Sequence, residues 1–203
     1  MGPIIRLATL DDAEAIRDIY APICEATPIS FETQAPSADE MRRRIAKTLE
    51  SLPWLVREQE GEIVGYAYAS SHRERAAYRW SVDVSAYVRD GHRRSGVGRA
   101  LYTSLFELLR LQGFHNALAG ITLPNPGSVG LHESLGFQTV GVYRHIGFKC
   151  GKWHDVVWYQ LSLCTQIGEP ADPLDFPIVR KTPEWAAVLA ADSTLEANSQ
   201  EQV

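Results

Sequence analysis

The stretch Arg93-Arg94-Ser95-Gly96-Val97-Gly98 puts two guanidinium groups and two glycines within six residues. It lies between an alternating apolar–polar segment and a run with leucines at helical spacing. Glycines in such a loop let the main chain approach an anion without a Cβ in the way, and the free amides of a helix start point at it. The chemistry this suits is the grip of a phosphate or diphosphate. The loop is not a nucleotide P-loop, because the Gly-Lys-[Ser/Thr] that would hold phosphate and Mg²⁺ is absent, and it is not Gly-x-Gly-x-x-Gly. Asp83 lies upstream on the polar side of the alternating segment, with Arg79, Ser81, Ser85 and Tyr87. Downstream, Asn125-Pro126 suits the N-cap and first position of a helix. His132 follows Asn125 by seven residues and so shares that helix's face.

The elements that must position these groups are legible as patterns. Ile4–Leu7 reads as a short strand. Thr9 to Asp12 resembles a capping box with Asp in place of Glu, and Ile16, Ile19, Tyr20 and Ile23 repeat at helical spacing after it. Ser37-x-x-Glu40 is a second capping box, followed by the stripe Met41, Ile45, Leu49 and Leu52. Strands are expected at 54–59 and 63–70 around Glu60-Gly61-Glu62, and again over 78–88. The loop 90–98 feeds a helix carrying Leu101, Leu105, Leu108 and Leu109, ended by Gly113. A strand over 117–122, a helix from Asn125 to Gly136, and strands over 137–143 and 156–163 complete the order β-α-α-β-β-β-α-β-α-β-β. Residues 164–203 differ in kind, with four prolines and a thin apolar patch around Trp185 to Leu189. They read as a mobile or docked tail with one short helix near 184–191, appended to a domain of residues 1–163.

Composition narrows the function classes. The 203 residues can bury one substantial core. A formal charge of −5 with no basic block argues against a nucleic-acid partner. The longest apolar runs are too short to span a bilayer, and the start Met1-Gly2-Pro3-Ile4 lacks signal-peptide character. Cys24, Cys150 and Cys164 are too few and too far apart for a disulfide framework or a zinc site, so a cytoplasmic protein is expected.

Arg93 to Gly98 follows [Arg/Gln]-x-x-Gly-x-[Gly/Ala] and resembles the pyrophosphate loop of the GNAT acetyltransferase superfamily. Within it the chain is similar to the phosphinothricin N-acetyltransferase family, which includes methionine sulfoximine acetyltransferases. The stretches that carry the likeness include Ile29-Ser-Phe-Glu-Thr33, Gly65-Tyr-Ala-Tyr-Ala69, Val82-Asp-Val-Ser-Ala-Tyr-Val88, Gln112-Gly-Phe114, Leu123-Pro-Asn125, Leu131-His-Glu-Ser-Leu-Gly-Phe137 and Trp153-His-Asp-Val156.

The resemblance implies one α/β domain with a mixed, largely antiparallel sheet whose central strands splay around acetyl-CoA. It implies direct acetyl transfer, with both substrates bound, to the α-amine of a small amino acid bearing tetrahedral sulfur or phosphorus. No metal is required, and a homodimer is expected. CoA is expected at Ala86, Tyr87, Val88, at Arg93, Arg94, Ser95, Gly96, Val97, Gly98, and at Asn125 and Ser128. Asp83, where the family usually carries Glu, is the expected base; the alternative for it is an ion pair to Arg79 or Arg75. His132 matches a histidine used beside that carboxylate. Arg73 and Arg75 are expected to contact acidic groups of the substrate, which suits guanidinium forks. Tyr78 and Phe31 are expected at the amino-acid pocket, with Tyr87 a further candidate there. His154 is expected to pack, and His72 to be a surface residue. Acetylation of protein N-termini or polyamines, or CoA sensing without turnover, are the rival readings.

Overall fold

The computed structural model describes residues 2–165 and 168–195. The chain runs β1 (Ile4–Leu7), α1 (Ala13–Ala26), α2 (Ala38–Thr48), β2 (Trp54–Gln59), β3 (Glu62–Ser71), β4 (Ser81–Val88), α3 (Val97–Gln112), β5 (Asn116–Thr122), α4 (Pro126–Ser134), β6 (Gln138–Lys149) and β7 (Lys152–Ser162). Two short helices follow, α5 (Phe176–Val179) and α6 (Pro183–Leu195). The seven strands form one sheet in the order β1-β2-β3-β4-β5-β7-β6, antiparallel everywhere except between β4 and β5. Through β7 this is the element order expected from the sequence, in a mixed, largely antiparallel sheet flanked by helices.

Period-two alternation divides the core into two clusters, one on each face. Leu55, Val64, Ala67, Val82 and Val84 meet the leucines of α3, while Trp54, Val56, Tyr66 and Tyr68 meet α1 and α2. A capping bond forms at both helix entries. Thr9 N donates to Asp12 Oδ2 at 2.7 Å, and Ser37 Oγ accepts from Glu40 N at 3.1 Å. One expectation fails locally. Residues 78–80 continue the alternation of β4, yet Ala76–Tyr78 is a 3₁₀ turn and the strand begins at Ser81. The side chains there are tied elsewhere: Arg79 Nη1 lies 2.9 Å from Asp172 Oδ1, and Trp80 Nε1 donates to the Ala171 carbonyl at 2.7 Å.

These two contacts belong to a docked C-terminal segment. Phe176, Val179 and Trp185 are buried in the α3-side core, and Leu174 N donates to the Gln112 carbonyl at 2.7 Å. Residues 166–167 and 196–203 lie outside the described part. Among the described residues, no helix is long and apolar enough to cross a membrane.

Candidate active site

The sheet forks at Asp83. The parallel ladder between β4 and β5 has only three pairs, Ser81 with Asn116, Val82 with Ala117, and Asp83 with Leu118. Beyond that rung, β5 turns to β7 alone, through Thr122, while β4 continues to Val88 paired only with β3. Main-chain groups of 84–88 on the β5 side are left without a strand partner, the condition for pairing with a ligand that carries amide groups. Val84, Ser85, Ala86, Tyr87, Gly120 and Thr122 line the resulting cavity, and Asn125, Ser128, Tyr102 and His132 close it.

At the open end of the fork, both strands feed helix starts. β4 leads through 89–96 into α3, whose N-cap Gly96 is left-handed at φ 86. Arg94 is also left-handed, at φ 63. Ser95 Oγ donates to the His92 carbonyl at 2.6 Å, and Arg93 stands 3.8 Å from Asp90, both in solvent. Val97 and Gly98 are buried, with Gly98 against Leu131 of α4. β5 leads into α4, where Asn125 Oδ1 accepts from Ser128 N at 3.2 Å. Two helix N-termini thus converge on one gap, which favours an anion there.

Alternation separates the two expected proton-handling groups. Asp83 points to the α1 side with Ser85 and Tyr87, and His132 lies on the α3 side under α4. His132 Nδ1 is 2.8 Å from the Ser128 carbonyl, so that nitrogen carries the hydrogen. Its Nε2 is 3.3 Å from the hydroxyl of Tyr102, a residue hidden in the leucine stripe of α3. Burial depresses the His132 pKa, opposed by the Ser128 bond, and burial pushes the Tyr102 phenol up. A neutral imidazole therefore accepts from a protonated phenol beside the gap.

Asp83 does not pair with Arg79 or Arg75. Its Oδ1 is 2.7 Å from Nδ1 of His72, which is no surface residue: its side chain is 13 % exposed. Burial raises the Asp83 pKa, against the pull of the His72 hydrogen bond and of His72 and Arg73 charge. Tyr78 sets its ring edge-on to His72 at 5.8 Å. Arg73 and Arg75 are exposed on the same loop, which borders a cleft of about 590 Å³ walled by Pro173 to Pro177 of the tail. Phe31 is half-exposed and packs over Gly147. Its loop is pinned by buried Lys149, whose Nζ donates to the Ser30 and Glu32 carbonyls at 2.6 Å. Tyr87 meets Tyr20 edge-on and Tyr66 at a tilt, so its ring packs against α1 while its main chain lines the fork. His154 is buried with Nε2 3.0 Å from the Lys149 carbonyl, a packing role.

Comparison with known proteins agrees with this architecture. The acetyltransferase (GNAT) domain matches residues 5–158. A phosphinothricin N-acetyltransferase of Streptomyces viridochromogenes is 40% identical over 156 residues, 77% of this chain and 85% of that one. An L-methionine sulfoximine/L-methionine sulfone acetyltransferase of Pseudomonas aeruginosa is 35% identical over 165 residues, 80% of this chain and 96% of that one. A phosphinothricin acetyltransferase from Sinorhizobium meliloti, solved with acetyl-CoA, superposes with TM-score 0.80 at 33% identity, covering 84% of this chain and 94% of the other. The forked sheet, the glycine loop at its mouth and these matches lead to one statement: the chain belongs to the phosphinothricin and methionine sulfoximine acetyltransferase family of the GNAT superfamily, and is an acetyl-CoA-dependent N-acetyltransferase.

Proposed function

We propose that the chain acetylates the α-amine of a small amino acid with a tetrahedral sulfur or phosphorus side group, such as methionine sulfone, methionine sulfoximine or phosphinothricin. Acetyl-CoA and the amine are bound together, and transfer is direct. The observation that carries this is the fork: its last rung is Asp83, so a thioester drawn into the gap from the loop end stops beside that carboxylate. Ala86, Tyr87 and Val88 hold the pantetheine arm through main-chain groups. Arg93, Arg94, Ser95, Gly96, Val97 and Gly98 cradle the diphosphate, and Asn125 and Ser128 line the arm's other side. No metal takes part in this scheme.

An α-amine titrates near ~8, so it mostly arrives as ammonium and must lose a proton before attack. The Asp83 site takes that proton on the α1 face. The carbonyl oxygen gains charge as the C–N bond forms, and β4 amides facing the gap have no β5 carbonyl to donate to, so they stay available to donate to it. The C–S bond then breaks on the α3 face, where the Tyr102 hydroxyl turns its one hydrogen from His132 Nε2 to the departing sulfur. Arg73 and Arg75 hold the acceptor's acidic groups, with Tyr78 and Phe31 bordering it. Two guanidiniums there disfavour a polyamine.

The acetyltransferase unit is assigned to 1–163, with 164–203 as an added segment, and the cytoplasm is the proposed compartment. The working form is a homodimer, without nucleic acid or membrane. In support, Val140, Tyr143, Ile146, Phe148 and Trp153 stand exposed along the β6–β7 hairpin, an apolar strip that a monomer seldom leaves open. Light scattering should return twice the chain mass, and Phe148→Asp should halve it; a monomeric parent would end the dimer assignment.

The decisive experiment is thiol release with methionine sulfone, methionine sulfoximine, phosphinothricin, polyamines and peptides as acceptors. The first three should dominate. Arg75→Ala should raise KM for them more than for simple amines, and an equal effect on both would dismiss the anion clamp.

A further inference from the structure

Asp83 is too committed to act alone. Aspartate is one methylene shorter than glutamate, and its Oδ1 is already bound to Nδ1 of His72 at 2.7 Å. The pairing is built by the sheet. Ser70 stands opposite Asp83, and His72 N donates to the Ser81 carbonyl at 3.4 Å. His72 is therefore the diagonal neighbour of Asp83 on one face, where two side chains readily meet. The imidazole is seated by ring edges from two further elements, Tyr78 at 5.8 Å and Trp158 of β7 at 6.1 Å. Among the described residues, nothing hydrogen-bonds Nε2, and that atom is not sealed from solvent. One ring nitrogen tied to a carboxylate and the other open is the arrangement that fixes a tautomer and aims a proton acceptor.

We propose that His72 takes the proton from the substrate ammonium through Nε2, and that Asp83 is its positioning residue. This rests on the acetyl-transfer reading above. An N–H bond of the ammonium breaks and its proton passes to Nε2, while Asp83 holds Nδ1–H and the imidazolium charge. The freed lone pair forms the C–N bond to the thioester carbonyl carbon, and the C–S bond breaks. The nitrogen sheds a second proton; of the two released, one goes to the leaving sulfur and the other to solvent. Arg73, Tyr68 and Tyr78 are the other charged or titratable groups around the pair.

Steady-state kinetics with methionine sulfone test this against pH. His72→Ala should lower kcat about 10²-fold or more, the usual size of a lost general base. It should leave the melting-temperature rise given by acetyl-CoA unchanged. The acid limb of kcat should move when His72 is replaced by alanine. Asp83→Glu in the His72→Ala background should regain about tenfold, because the longer carboxylate reaches the amine directly. If His72→Ala does not fold, His72→Gln replaces it in each comparison. A kcat within about threefold of the parent, or an acid limb unmoved by the substitution, overturns the proposal and leaves acetyl transfer standing. A parent that turns over no amine sinks acetyl transfer itself, whatever His72 does.

Discussion

His132 illustrates how far a single side chain can be read. Its type and its distance from Asn125 put it at the cofactor gap, and both do line that cavity. What spacing could not supply is the side of the sheet, which sets it apart from Asp83. Burial keeps its pKa below the ordinary imidazole value. Between the two values the unfolded chain binds a proton that the native protein does not. The resulting stability is full above about pH 6.5 and is lost as pH falls below it. Urea midpoints taken from about pH 7 to about pH 5 should therefore fall less in His132→Gln than in the parent. An identical fall in both would mean that this histidine does not titrate differently on folding. Asp83 carries the opposite sign. Its raised value means the native site binds the proton more readily, so its contribution is greatest at low pH and is lost as pH rises through the raised value. Asp83→Asn should thus cost turnover heavily with little loss of melting temperature, and a variant that keeps its turnover would release Asp83 from any catalytic role. His72 escaped sequence reading for a definite reason. Its partner is set by strand register, and register depends on the β3–β4 turn, where alternation suggested strand instead of a 3₁₀ turn. Tyr102 was hidden because a tyrosine in a leucine stripe is ordinarily core.

At the level of elements, helix entries and strand alternation were legible because capping and period-two patterns are local. The glycine loop was legible too, but its two glycines serve different needs. Gly96 has open space where a Cβ would stand and needs glycine for its φ of 86. Gly98 has ordinary helical geometry and needs room, since a Cβ there would come within 3.2 Å of Leu131 Cδ2. Gly96→Ala should cost about 1 kcal/mol of backbone strain and act on acetyl-CoA affinity by reshaping the loop. Gly98→Val should instead push α4 from α3 and lower the melting temperature. Calorimetric titration with CoA and thermal scans of both variants separate the two. Equal losses of affinity with equal losses of stability would contradict the division.

Across the molecule, the order of core elements followed from pattern, whereas the docking of the tail did not. A short apolar patch around Trp185 says nothing of where it lands. It lands on α3, with Trp185 2 % exposed. Trp185→Ala should cost about 3–5 kcal/mol, the range for truncating a buried aromatic. Urea denaturation would measure it, and a loss below about 1 kcal/mol would mean that the tail is not part of the core. The fork has a consequence of its own. A sheet torn open along its middle exposes β4 amides that a continuous ladder to β5 would keep bonded. Deuterium should enter 84–88 far faster than β3 or β7, and CoA should slow that entry by completing the missing ladder. Holoprotein and apoprotein would then differ most in their resistance to local opening, and least in shape.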